Sequence, residues 1–294
     1  MTRADFRSGF VAILGKPNTG KSTLLNQILG EKISITSPKP QTTRNAIKGI
    51  LNRDDCQIVF IDTPGYLEPR YEMQHRMRKI WSEAWQDVDL ILFLTDVASF
   101  PTDYDLQVME RLSLVRTPQL AVFNKIDLKP DVVREHLTAQ LPASLGQSFF
   151  VSARTGEQVP ELMTALLSYI PYHEPYFQPD QLSDLPLRFF AQETIREAIF
   201  HQLQQEIPYA AAVLVQRWQD EADKTVIDAV IWVEKPSQKI ILIGSKGEGL
   251  AQIRRYAESR LSEWLERRVL VHLWVKVNPG WRKKSTSLKE LGLG

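Results

Sequence analysis

The sequence predicts an α/β protein: a P-loop domain on a mostly parallel sheet, followed by a smaller α+β module. Three observations predict it. Short apolar runs alternate with helical patterns through the first 170 residues. A glycine-rich phosphate-loop pattern joins the first run to the first helix. The pattern of elements then changes beyond a proline-rich stretch at 171–186.

The first apolar run is 10–14, and the helix after it keeps Leu24, Leu25, Ile28 and Leu29 on one side. Further strand-like runs follow at 46–51, 57–61, 90–95, 119–123 and 148–151. Helical patterns follow at 72–86, 103–114, 131–141 and 160–169. In such a fold, ligands sit beyond the carboxyl ends of the strands. Residues 171–186 hold four prolines, which break helices and stiffen a chain. The domain boundary is placed there, the alternative being a long surface loop. The resulting divisions are 1–170, a linker at 171–186, a module at 187–278 and a basic tail at 279–294. The module reads as a helix at 188–206 stopped near Pro208, then strands at 211–218 and 225–233. A short helix at 237–243, a turn at 244–249, a long helix at 250–267 and a strand at 269–277 complete it. The tail from Asn278 reads as loosely held.

Composition narrows the class. Of 294 residues, 43% are hydrophobic and 24% charged, enough for a sizeable core. Cys56 is the only cysteine, which rules out an internal disulfide and fits a reducing compartment. The first eight residues are polar and charged, unlike a secretory signal, and the best apolar run, 90–94, has strand length. A cytoplasmic protein is expected. Residues 1–186 carry 19 Lys+Arg against 22 Asp+Glu, whereas 187–294 carry 17 against 13. This basic bias points to an anionic partner for the second half, or to ordinary solubilising charge.

Gly15-Lys16-Pro17-Asn18-Thr19-Gly20-Lys21-Ser22 sits between the first strand and first helix. Backbone N–H groups of such a loop cradle a β-phosphate at the positive end of the helix. Lys21 reaches the β- and γ-phosphates and the Ser22 hydroxyl holds Mg²⁺. Asp62-Thr63-Pro64-Gly65 closes the third strand. There Asp62 orients a Mg²⁺-bound water and the Gly65 N–H approaches a γ-phosphate. D-x-x-G arises about once by chance in a chain this long, so its place after a strand gives it weight. Asn124-Lys125-Ile126-Asp127 ends the fifth strand, and Ser152-Ala153-Arg154 follows the sixth. The Asp127 carboxylate presents two acceptors side by side, matching guanine N1–H and its 2-amino group. A base without that pair would leave the carboxylate unsatisfied. The Ala153 N–H is placed to bond the base oxygen.

These four stretches look like the G1, G3, G4 and G5 motifs of translation-factor-class GTPases. Pro40-Gln41-Thr42-Thr43-Arg44 resembles the G2 switch segment of the Era branch. The resemblance implies a GTPase using GTP, GDP and Mg²⁺. It makes Thr43, with Thr42 as the second choice, the switch threonine that completes a metal set with Ser22 and Asp62, and Lys21, Thr43 and Gly65 the catalytic residues. Tyr66 follows Gly65 where Ras-type proteins carry Gln, and a phenol orients water poorly, so slow intrinsic hydrolysis is expected. Asn18 matches a loop Asn that binds K⁺ in some relatives, or serves as a turn residue.

In the second module, Gly244-Ser245-Lys246-Gly247 lies between two helices. The order helix–strand–strand–helix–GxxG–helix–strand resembles a type II KH module, which clamps about four nucleotides of single-stranded backbone. Contacts are expected from the 244–247 loop and from Ser237, Lys239, Arg254 and Arg255. The two arginines read equally as a solvated helix face. Segments 206–209, 236–239, 273–277 and Trp281-Arg282 also look like Era, so the resemblance spans nearly the whole chain. The usual GxxG filling there begins with Lys, whereas here Ser245 precedes Lys246.

The Era resemblance implies a monomer that binds the 3′ end of 16S rRNA, assists 30S subunit assembly, and switches RNA binding by GTP hydrolysis. It also implies peripheral contact with the inner membrane, and the basic tail suits lipid or RNA equally. Two other readings stay open. One is an RNA-binding protein holding guanine nucleotide as a structural ligand. The other is a GTPase of tRNA modification or ion transport, disfavoured by the KH pattern and by the lack of spanning runs.

Overall fold

The computed structural model describes residues 5–293. Residues 1–4, at the start of the polar N-terminal stretch, and Gly294, at the end of the basic tail, lie outside the described residues. The chain forms two compact units, Met1–Pro69 with Met77–Asp184, and Arg70–Arg76 with Leu185–Gly294.

The first unit is a six-stranded sheet. Its strands are β1 (Arg7–Leu14), β2 (Ile47–Asn52), β3 (Cys56–Asp62), β4 (Leu90–Asp96), β5 (Gln119–Asn124) and β6 (Ser148–Phe150), in spatial order β2-β3-β1-β4-β5-β6. β1 pairs in parallel with both β3 and β4, β5 and β6 continue in parallel, and only β2 runs antiparallel, on β3. Helices α1 (Lys21–Leu29), α2 (Glu72–Glu83), α3 (Asp103–Leu112), α4 (Arg134–Thr138) and α5 (Val159–Leu167) connect the strands. β4 is buried along its whole length, which is why it reads as an unbroken apolar run. A core around Phe93, Phe123, Phe150 and Trp81 holds α2 and α3 against the sheet. All four nucleotide motifs leave the carboxyl ends of β1, β3, β5 and β6, at the side where chain direction diverges from β1.

The second unit contains α6 (Leu187–Gln202), α7 (Ile207–Ala210), β7 (Ala212–Asp220), β8 (Lys224–Val233), α8 (Pro236–Ile243), α9 (Glu248–Trp264), β9 (Arg268–Val277) and α10 (Ser285–Glu290). Its sheet runs β7-β8-β9, antiparallel then parallel. Ile195, Ile199, Ile227, Ile231, Ile253, Ala257 and Val271 form its core.

Several expectations need correcting. The helix expected at 131–141 shrinks to five residues, because only Leu137 of it is buried and so short an apolar face holds no longer helix. Pro208 does not stop a helix. The chain turns extended at Leu203, and Pro208 opens the separate α7, where its missing N–H costs nothing. The tail is not loose: Trp281 is fully enclosed and donates from Nε1 to the Ala210 carbonyl at 2.8 Å, and Leu288 and Leu293 are buried after it.

The proline-rich stretch lies along the first unit as a strap. Gln57 on β3 holds the backbone of Tyr176 and Phe177, Ile50 N–H donates to Leu182 O at 2.9 Å, and Ser183 Oγ donates to Lys48 O at 2.6 Å.

Candidate nucleotide site and nucleic-acid groove

Gly20 opens α1 at φ 96°, and a β-carbon there would stand 2.3 Å from the Asn124 amide nitrogen. That closeness is functional geometry. Asn124 Nδ2 donates to Thr19 O at 2.7 Å while its Oδ1 accepts from Ala153 N–H at 2.8 Å. One buried amide therefore clasps the phosphate loop to the 152–154 segment. The Asn124 amide thus braces the loops on either side of it. Thr19 and Thr63 are likewise internal braces, bonding Lys16 O and Ile13 O. Ile126 is buried beneath the loop, and Lys125 lies 3.7 Å from Asp96 with its backbone left-handed.

The Lys21 ammonium folds back on its own loop, donating to Lys16 O at 2.8 Å and Gly15 O at 3.3 Å. Burial lowers it to about 8, with Asp62 pulling the other way. A phosphate offers the counter-charge that this position lacks and would keep the ammonium protonated. Phosphate affinity should therefore fall as pH rises through about 8, because binding must then take up a proton. GDP titrations at pH 7 and 8.5 should differ about fourfold, weaker at the higher pH, from the population of neutral lysine.

Ser22 Oγ lies 2.6 Å from Asp62 Oδ2 and 2.9 Å from Thr43 Oγ1, and Ser34 Oγ bonds the same Asp62 oxygen at 2.8 Å. Thr42, by contrast, turns to Lys39 O. Asp62 Oδ1 is buried with no hydrogen-bond partner among the described residues. Burial pushes this carboxyl up, against the pull of Ser22 and Lys21. Two hydroxyls and an unsatisfied carboxylate oxygen are the hard ligands Mg²⁺ prefers, so the residues fit that ion.

Gly65 comes so close to the phosphate loop that a β-carbon would meet Pro17 backbone at 2.6 Å, and Tyr66 N–H donates to Gly15 O at 3.1 Å. The Tyr66 ring itself turns away from the loop. It is buried on Trp81, with its hydroxyl held by Glu68 and Arg111. Its expected part in nucleotide binding is thus limited to the main chain. Asn18 donates from Nδ2 to Pro38 O at 2.9 Å, tying the loop to the chain just before Pro40. The Lys16 side chain also leaves the site, toward Asp105 at 2.8 Å.

Beyond the end of β5, the Asp127 side chain is largely enclosed and both its oxygens are engaged. They accept from Ser152 Oγ at 2.8 Å and Arg154 Nη2 at 2.6 Å. Arg154 is mostly exposed and free to yield that place.

In the second unit, the turn at 245–247 carries Ser245 and Lys246 on its exposed rim, with Lys246 left-handed at φ 50°. Beside it, Gly247, Leu250, Ala251 and Arg254 face Val271, His272, Leu273 and Trp274 across a groove. Arg254 lines this groove, whereas Arg255 pairs with Glu248 at 2.6 Å. Ser237 is exposed and Lys239 half-buried on α8. The sequence reading missed the exposed Trp274 and Ile241 as candidates for stacking on bases. The alternation along 269–277 was the available signal, since Val269, Val271 and Val275 face inward and Trp274 does not.

A phosphate loop with an acceptor pair for guanine, ahead of a GxxG module, defines the class: a guanine-nucleotide protein with an RNA-type module. A family profile for 50S ribosome-binding GTPases matches residues 10–125, and one for the KH domain matches 206–282. GTPase Era of Geotalea uraniireducens is 44% identical over 99% of both chains, and that of Lacticaseibacillus paracasei 43% over 98% of this chain and 97% of its own. Two solved structures superpose with TM-score 0.94 at 35% identity, each over 98% of this chain. They are an Aquifex aeolicus Era variant bound to GDP·AlF4⁻, covered in full, and Era in complex with MgGDPNP and nucleotides 1506–1542 of 16S ribosomal RNA, covered over 99%. The chain belongs to the GTPase Era family.

Proposed function

We propose that this protein is a GTPase that binds the 3′ end of 16S rRNA through its KH module and assists maturation of the 30S subunit, with GTP hydrolysis setting RNA affinity. The observation that carries the reading is its full-length likeness to Era held with MgGDPNP and 16S RNA. The phosphate loop 15–22 takes the phosphates, Asp127 the guanine, and Ser22, Thr43 and Asp62 the Mg²⁺; the Ala153 N–H, expected on the base oxygen, is instead given to the Asn124 amide oxygen at 2.8 Å. That ion neutralises phosphate charge when bound. Lys21 supplies a fixed cation to the β- and γ-phosphates. The Gly65 N–H faces the γ-phosphate, whose loss releases the switch segments. Ser237, Lys239, the 244–247 loop, Arg254 and Trp274 hold RNA, with Arg255 free to join once it leaves Glu248. Asn18 would hold K⁺, which would supply charge of the kind an arginine finger brings in other GTPases.

Intrinsic turnover is slow, because the side chain after Gly65 is turned into the core and offers no amide to the attacking water. This favours keeping one competing reading, in which the nucleotide is a structural ligand only. A single experiment separates them: phosphate release measured with and without an RNA of the 16S 3′ end, in KCl and NaCl, alongside RNA affinity in GDPNP and GDP. RNA should bind more tightly with GDPNP and raise phosphate release, and KCl should exceed NaCl. Equal RNA affinity in both nucleotide states overturns the switch. Phosphate release at background under every condition leaves the structural-ligand reading.

A further inference from the structure

The second residue of the phosphate loop carries a cation that the chemistry above does not use. Lys16 is only 7% exposed, with Nζ 2.8 Å from Asp105 Oδ2, 2.8 Å from Ser99 Oγ and 3.4 Å from Thr102 Oγ1. Asp105, in the first turn of α3, is wholly enclosed. It also accepts from Thr95 Oγ1 at 2.8 Å, Thr102 N–H at 2.9 Å and Thr102 Oγ1 at 2.7 Å. An ion pair this deep is poor evidence for stability, since a well-packed apolar pair often serves as well. What it does supply is a fixed direction for whatever the two charges are attached to.

Two branches leave Lys16. Its carbonyl accepts from Lys21 Nζ at 2.8 Å and from Thr19 Oγ1 at 3.2 Å, so the resting place of Lys21 is set by a residue pinned to α3. Its side-chain partner Ser99 also bonds both oxygens of Asp96 at 3.0 Å, and Asp96 stands 3.7 Å from Lys125 in the base loop. The phosphate loop is therefore tied from behind both to α3 and to the loop that carries Asp127.

We propose that Asp105 is a positioning residue for phosphate binding, acting through its buried pair with Lys16 to fix the loop 15–22. The inference rests on the reading of this site as one for guanine nucleotides. Without the carboxylate, the enclosed Lys16 ammonium has no counter-charge. Position 16 is then no longer held to α3, and the loop loses the fixed direction that the pair gives it. The phosphate contacts suffer, while the base contacts of Asp127, whose loop keeps its own Asp96–Lys125 pair, remain.

That split is the test. The full chain is compared with Asp105→Asn, with the paired apolar variant Lys16→Met/Asp105→Leu, and with the control Asp103→Asn, an exposed carboxylate on the same helix. Each is titrated with GDP and with guanosine, and its thermal midpoint recorded. The expected result for Asp105→Asn is at least a tenfold loss of GDP affinity with guanosine affinity within twofold of the parent. The paired variant, which leaves no stranded charge, should melt near the parent and show the same selective loss. Asp103→Asn should match the parent throughout. The inference is overturned if the paired variant binds GDP as the parent does, or if GDP and guanosine affinities fall together. A parent chain that prefers GDP to neither guanosine nor ADP overturns the nucleotide reading, and this inference with it, before any variant is made.

Discussion

Asp127→Asn will cost the protein its guanine preference, lowering GDP affinity on the order of 100-fold or more. Two charge-assisted hydrogen bonds, each about 1.5–3 kcal/mol, depend on that carboxylate. The amide keeps one acceptor and turns a donor toward the base, where N1–H or the 2-amino group already donates. A xanthine nucleotide, with an oxygen in place of the 2-amino group, meets the new donor and should become the better ligand. Competition titrations with GDP and XDP on the parent and the variant check the result. Retained GDP affinity would show that Asp127, despite its position beside Ser152 and Arg154, does not read the base.

Trp281→Ala should destabilise the second unit by about 3–5 kcal/mol, the range for emptying a large aromatic site in a core. The indole is fully enclosed, and its loss also strands the Ala210 carbonyl that it satisfies at 2.8 Å. Hydrogen exchange in the strands 212–220 and 224–233 should speed up accordingly, while the strands of the first unit keep their protection. Exchange unchanged in those strands would mean that the C-terminal segment is an ornament on a module stable without it.

What the sequence made legible was whatever lies close together along the chain. The phosphate loop, the strand ends with Asp62 and Asp127, and the GxxG turn each depend on neighbours within a few residues. The apolar run at 90–94 announces a strand buried on both faces. Long-range partners were not legible. Nothing near Lys16 in sequence says that its charge belongs to Asp105, 89 positions on. The Asn124 amide reads as a base-loop residue, yet its bonds go to Thr19 and Ala153. The tail misled because it holds as many Lys and Arg as apolar residues, while the few that matter, Trp281, Leu288 and Leu293, are spaced too irregularly to form a periodic signal. The Tyr66 ring, too, has a partner that its neighbours in sequence do not announce, Trp81, against which it is buried.

The strap of residues 176–184 has a consequence for solubility. β2 is an outermost strand, and a bare strand margin is a template on which other chains add. Here the strap covers that margin by occupying Ile50 N–H and Lys48 O and by placing Asp184 2.8 Å from the Lys48 ammonium. A fragment trimmed at residue 170, where the helices end, would strip this guard and invite self-association. Cut after Asp184 instead, the nucleotide half keeps the guard on β2.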